Sequence, residues 1–274
     1  MKQINWKRIY ILLVLNHSSL LKNSFAIAVR CTMLYALFFI FGLIIGSFLN
    51  VCIYRIPRGK SVVHPPSYCE SCGTRLKPLD IIPVASWLFL HKKCRYCGTN
   101  ISSQYPLVEL LTAVLFVFIF HYLGLSNSLL PYLLLTSLLI IISFIDFKSF
   151  LVPNKLIISG LVLGFGTHLI SPTIDWQNII LGFLVGGGVL YVLAILSKGG
   201  IGGGDIKLAA MIGFYLGWQK ILQGLFLGAL IGSIFGLVMI ITKKATRNEP
   251  IPFAPFLSLG VILTLFLSSY GIFY

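Results

Sequence analysis

Runs of about 20 mostly apolar residues, each able to cross the hydrocarbon of a bilayer, recur along this chain until almost no soluble fold is open to it. They stand near Met33–Asn50, Pro106–Leu125, Leu129–Ile145, Leu156–Ile170, Ile179–Leu196, Ile206–Trp218, Ile221–Ile241 and Pro255–Tyr274, the sixth being short. Charged residues make up 10% of the sequence and the mean hydropathy is +0.95, whereas a soluble domain carries roughly 25% charge. The chain therefore reads as an all-α polytopic membrane protein of about eight transmembrane helices.

Lysine and arginine set the orientation. Arg55, Arg58, Lys60, Arg75, Lys77, Lys92, Lys93 and Arg95 follow the first run, and the positive-inside bias places that loop in the cytoplasm. Alternation then brings Lys148, Lys155, Lys198, Lys207, Lys243, Lys244 and Arg247 to the same side, with Lys220 as the dissenter. The net charge of +14 is mostly topology, with attraction to anionic membrane lipid as a lesser part. No basic-aromatic groove accompanies it, so nucleic acid is not an expected partner. Residues 1–32 fit this scheme poorly: they read as an interfacial helix, an incomplete hairpin or a start-site artefact with Met33 as initiator, and the last is preferred.

Residues 51–105 form the one soluble-looking insertion, between a first helix at 33–50 and a membrane domain at 106–274. The insertion contains Cys69-Glu70-Ser71-Cys72 and, 21 residues on, Cys94-Arg95-Tyr96-Cys97. Paired C-x2-C units at this spacing turn four thiolates towards one zinc ion, and Gly73 and Gly98 suit the tight turn after each pair. So short a segment buries little core, which leaves a structural zinc to supply folding energy. Free thiols or two disulfides are the alternative, disfavoured in a reducing cytoplasm. Cys31 and Cys52 have no partner at metal spacing and read as small apolar residues at the membrane edge.

Seven acids occur in 274 residues, and two of them end long apolar runs: Asp146 in Ile145-Asp146-Phe147-Lys148 and Asp205 after Gly202-Gly203-Gly204. A carboxylate beside hydrocarbon is costly and marks function. If the two meet, they cannot both be ionised, so one can activate water while the other, protonated, polarises a carbonyl. The competing reading pairs Asp146 with Lys148 and Asp205 with Lys207 as ordinary ion pairs. Gly199, Gly200, Gly202, Gly203 and Gly204 favour the first reading, since they let another chain approach Asp205 closely. No Lys-Ser or Lys-Thr follows them, which excludes a phosphate-binding loop. Gly182, Gly186, Gly187 and Gly188 fall mid-helix and suit close helix packing.

These blocks together resemble the type IV prepilin peptidases, bacterial inner-membrane aspartic proteases with a GxGD motif. The resemblance covers Gly46-Ser47-Phe48-Leu49-Asn50-Val51, His64-Pro65-Pro66-Ser67, Ser86-Trp87-Leu88, Tyr105-Pro106-Leu107-Val108-Glu109, Asp146 with Pro153, Gly202 to Leu208, and Ile251-Pro252-Phe253-Ala254-Pro255-Phe256. It implies removal of the basic leader of prepilins and pseudopilins after a glycine at the cytoplasmic face. N-methylation of the new terminus from S-adenosylmethionine would follow. Asp146 and Asp205 match the catalytic aspartates, and the four cysteines match a zinc tetrad associated with the methylating domain. Asn154 stands where the family often has aspartate, and residues 1–32 have no counterpart.

Glu109 and Lys207 are candidate contacts to substrate or cofactor; Glu109 is alternatively a structural partner of Arg55 or Lys60. His64, His121 and His168 read as structural, and Trp87, Trp176 and Trp218 as interfacial anchors. Pilus or secretion assembly proteins are candidate partners. Outside proteolysis, the readings are a non-enzymatic transporter with a broken helix near Gly202 and a zinc-stabilised scaffold.

Overall fold

A computed structural model describes residues 32–198, 200–243, 246 and 250–269. Apart from Thr32, the stretch 1–32 lies outside the described residues, as do Cys31, Gly199 and the end of the last apolar run. Helix α1 (Thr32–Arg55) packs antiparallel to α3 (Gln104–Leu123). The two backbones are so close that a Cβ on Gly42 would stand 2.5 Å from Ala113 Cα, and one on Gly46 would stand 2.6 Å from Glu109 Cα. Small residues are what permit such an approach in a bilayer, where packing rather than water expulsion holds helices together. Between α1 and α3 the cysteine insertion contributes a 3-10 turn at Pro78–Asp80 and the short helix α2 (Ala85–Phe89).

Helices α4 (Leu129–Ser149), α5 (Asn154–Ile170), α6 (Trp176–Leu196), α7 (Gly203–Ile241) and α8 (Ala254–Ser269) follow. Five helices, α1, α3, α4, α6 and α7, are long and apolar enough to cross a membrane, and α5 and α8 are shorter apolar helices. No strand occurs among the described residues. The chain is a multi-pass, all-helical membrane protein with a small cysteine-bearing insertion after its first helix.

The sixth and seventh apolar runs are two helices that meet at a kink with no loop between them. They form the single 39-residue run α7, broken at Gly217, whose φ of 79° and ψ of 173° only glycine adopts without strain. The arm before Gly217 runs antiparallel to α6, where Gly182 and Gly213 meet backbone to backbone with room for no side chain. It runs parallel to α5, with Tyr215 Oη donating to Gly160 O at 2.7 Å. The arm after Gly217 returns beside α8, with Gly224 and Gly228 against Val261 and Leu257.

Helix α4 is the central strut. Leu135, Leu139, Ile142 and Ile145 pack with Leu208, Met211 and Ile212 of α7 and with Leu257 and Val261 of α8. Leu49, Cys52 and Ile53 of α1 and Val108 of α3 join the same core. The unmatched cation Lys220 finds a partner just past the α7 break: its Nζ donates to Tyr132 Oη at 3.4 Å and lies over that ring.

Candidate active site and metal centre

Asp146 occupies the last turns of α4, between core residue Ile145 and exposed Phe147. Its side chain is 5% exposed, and Oδ2 accepts the N–H of Ala254, the first residue of α8, at 3.1 Å. Helix N-termini leave such donors without intrahelical partners and carry partial positive charge. One bond therefore caps α8 and fixes the carboxylate. Beyond it, Phe150 adopts a left-handed conformation (φ 51°, ψ 36°) and donates its N–H to Asp146 O at 2.8 Å. The chain thereby reverses through Val152 and Pro153 into α5.

Asp205 stands in the first turn of α7, its N–H donating to Gly202 O at 3.0 Å. Gly204 is where the glycine run is needed for packing: a Cβ there would lie 2.8 Å from Val152 Cβ, so the start of α7 closes onto the α4–α5 turn. A Cβ on Gly203 would meet nothing, and one on Gly202 would make ordinary contact with Asp205 Oδ2 at 3.4 Å. Oδ1 of Asp205 is buried with no hydrogen-bond partner. The carboxylate of Asp146 is near enough for its charge to act on Asp205. Two acids from distant apolar segments thus lie within electrostatic reach of each other at one end of the bundle.

The alternative ion pairs do not form. Lys207 Nζ donates to Asn154 Oδ1 at 3.0 Å, and the ion pair recorded among the described residues joins Arg95 to Asp80. Residues two apart on a helix point away from each other, which keeps Lys148 and Lys207 off the neighbouring carboxylates. Lys207 instead ties the start of α7 to the start of α5.

The cysteine units are two copies of one turn, Cys-x-x-Cys-Gly-Thr. Each is closed by an isolated antiparallel bridge, Tyr68 with Arg75 and Lys93 with Asn100. In each the first cysteine N–H bonds the threonine carbonyl, and the glycine N–H bonds the first cysteine carbonyl. Gly73 and Gly98 take φ values of 70° and 71°, the left-handed turn that favours glycine. All four Sγ atoms lie within 4.8 Å of one another. Cys69 Sγ and Cys97 Sγ are 3.8 Å apart, too far for a disulfide and equal to the edge, about 3.8 Å, of a tetrahedron with zinc–sulfur bonds of about 2.3 Å.

Hydrogen bonding with Thr99 brings the Cys97 thiol down to about 6, which favours the thiolate that a metal needs. Asp80 links the two turns by accepting from Tyr96 Oη at 2.8 Å and pairing with Arg95 Nε at 2.8 Å. Burial pushes its carboxyl up, but Tyr96, the Lys77 N–H and Arg95 outweigh that and hold it below the usual range.

A cavity of about 480 Å³ lies between this insertion and the adjoining ends of α1 and α3, lined by Asn50, Trp87, Tyr105 and Glu109 among others. Glu109 is 5% exposed and its Oε2 accepts the Val84 N–H at 2.7 Å. It does not pair with Arg55, which donates to Ser61 O at 3.0 Å and Pro66 O at 3.4 Å. Asn50 Nδ2 bonds Tyr105 O at 3.0 Å, and Trp87 Nε1 bonds Ile101 O at 3.2 Å. Sequence reasoning assigned no role to Val84, Ala254 or Val152. Ala254 belongs to a motif block, but a backbone donor leaves no side-chain signal.

Two family models match the chain in succession. Residues 40–123 match the bacterial peptidase A24 N-terminal domain, and residues 133–237 match the type IV leader peptidase family. A protein of Bacillus subtilis named prepilin leader peptidase/N-methyltransferase is 41% identical over 228 residues, covering 83% of this chain and 92% of its own length. Proteins of the same name from Aeromonas salmonicida and Pseudomonas aeruginosa are 35% and 32% identical, covering 82% and 85% of this chain and 88% of each relative. No solved structure matches the chain.

Proposed function

The chain belongs to the type IV leader peptidase family, and we propose that Asp146 and Asp205 are the pair with which it removes the leader from prepilins and pseudopilins. It is a membrane peptidase and N-methyltransferase of that family. What supports the residue assignment is that the carboxyls of α4 and α7 lie within electrostatic reach of each other at one end of the bundle. Asp146, already accepting an N–H, is suited to remain ionised and take a proton from water. Asp205 Oδ1, buried without a partner, is suited to hold a proton towards the scissile carbonyl. Water adds to the carbonyl carbon, the C–N bond breaks, and the proton passes to the leaving nitrogen. The products are a leader carboxylate and a free α-amino group. Membership in the family leaves the transporter and scaffold readings without support.

The distribution of lysine and arginine supports a cytoplasmic active site in the bacterial inner membrane. A prepilin joins a basic leader to an apolar helix, so its scissile bond belongs at the same boundary as the two aspartates. Membrane lipid surrounds the helices, and pilus or secretion assembly proteins are the neighbours of such an enzyme. We read residues 51–105 as a zinc-binding module and 106–274 as the peptidase domain. Four thiols whose sulfurs lie within 4.8 Å of one another fit zinc, held by Cys69, Cys72, Cys94 and Cys97 in a structural role.

For the methyl donor, S-adenosylmethionine, the cavity at Glu109 fits in size, since small-molecule sites run from about 300 to 1,000 Å³. Its aromatic walls, Trp87 and Tyr105, suit a nucleoside, and Asn50 supplies a polar contact. When bound, the donor supplies an electrophilic methyl group. Incubating the purified full-length protein in lipid nanodiscs with a synthetic prepilin, read by intact mass, tests both activities. Loss of the leader mass followed by gain of one methyl is expected. An unchanged precursor overturns the peptidase reading.

A further inference from the structure

Glu109 is a buried carboxylate outside the pair proposed for leader removal. It accepts the Val84 N–H at 2.7 Å, and Ser47 lies near it. A carboxylate takes about four donors, so capacity remains. No cation neutralises it: among the described residues the recorded ion pair lies elsewhere, and Arg55 is engaged by two backbone carbonyls. A buried acid without a cationic partner is costly, yet this one lines the wall of a cavity sized for a small molecule. A positively charged ligand group is the partner the site lacks.

The position of Glu109 suggests which group that is. Glu109 lies near the start of α3 and Asp146 near the end of the following helix, α4, so the two carboxyls stand towards the same end of the bundle. A pilin whose leader has been removed keeps its apolar helix in the membrane, and its new amino terminus reaches Glu109 by moving sideways.

We propose that Glu109 is the catalytic base of methyl transfer and receives the α-amino group of the cleaved pilin. The proposal rests on the methyltransferase reading given above. The α-ammonium gives one proton to the Glu109 carboxylate. The nitrogen lone pair then forms a bond to the methyl carbon of the sulfonium donor. The sulfur–carbon bond breaks with its electron pair going to sulfur, which leaves a neutral thioether and a methylated ammonium.

The test uses full-length Glu109→Gln enzyme in nanodiscs, with three separate readouts: leader removal from a prepilin peptide, methylation of a pre-cleaved pilin peptide, and calorimetric binding of S-adenosylhomocysteine. Leader removal and S-adenosylhomocysteine affinity are expected to stay within about threefold of wild type, while kcat for methylation falls about 10²-fold with KM for the donor unchanged. Glu109→Asp, which keeps the base, recovers part of that loss. Unchanged methylation in Glu109→Gln overturns the proposal. Parallel loss of leader removal or of S-adenosylhomocysteine binding overturns it in favour of a structural role. A raised KM for prepilin cleavage overturns it in favour of a leader contact. A wild-type enzyme that removes leaders but neither methylates nor binds S-adenosylhomocysteine overturns the methyltransferase reading, and the proposal with it.

Discussion

Asp146 Oδ2 and the backbone N–H of Ala254 are joined at 3.1 Å across 108 residues of sequence. The bond makes the start of α8 part of the aspartate site although α8 contributes no acid. It also explains why a buried carboxylate at the end of α4 needs no lysine: a helix N-terminus supplies the compensating positive charge.

Removing that donor tests its contribution. Ala254→Pro lacks the N–H yet keeps a backbone compatible with a helix start. A hydrogen bond to a charged group is worth about 1.5–3 kcal/mol, so cleavage is expected to fall roughly 10- to 100-fold. Ala254→Gly, which keeps the N–H, should stay near wild type in the same peptide assay.

Asp146→Asn and Asp205→Asn are each expected to insert normally and to lose leader removal by about 10²- to 10⁴-fold. Membrane fractionation and a prepilin cleavage assay read the two outcomes separately. Robust cleavage by either variant would falsify the assignment of the pair.

Gly204→Ala places a methyl group 2.8 Å from Val152 Cβ, and one of the two must give way. Overpacking of this kind costs about 1–3 kcal/mol. Cleavage should drop and recover when Val152→Ala is added. A double-mutant cycle with no coupling between the two positions would show that the contact is unimportant.

Elemental analysis of unchelated protein is expected to give about one zinc per chain, lost in Cys69→Ser together with protection of residues 56–103 from limited proteolysis. Cys69 and Cys94 also line the cavity at Glu109. S-adenosylhomocysteine binding should therefore weaken more than leader removal, whose proposed aspartates come from α4 and α7.

Asp80 gives the insertion a defined response to acid. Its folded carboxyl lies below the ordinary range, so the stability it contributes is fully present above about pH 3.9, the unfolded value, and is lost as pH falls through the folded value. Asp80→Asn should abolish that acid limb of insertion unfolding, measured by tryptophan fluorescence of Trp87.

The rarest chemistry was the most legible in the sequence. Two aspartates beside hydrocarbon, paired cysteine units and a glycine run each break the local composition, and each marks a feature that the structure brings together. The ion pairs with Lys148 and Lys207 looked equally plausible along the chain, because sequence distance ignores helical direction. The break at Gly217 lay among glycines that serve packing, and hydropathy cannot tell a bend from a loop. The cavity was invisible for a different reason: Asn50, Val84 and Glu109 come from three elements, and one of them contributes only an N–H.

The cap on Asp146 also orders events during synthesis. A nascent chain that has already delivered both acids to the bilayer still lacks Ala254, and its first acid is unanchored until α8 has left the ribosome and docked. With Asp146 and Asp205 as the proposed cutting pair, competence to cut then waits for α8 to dock.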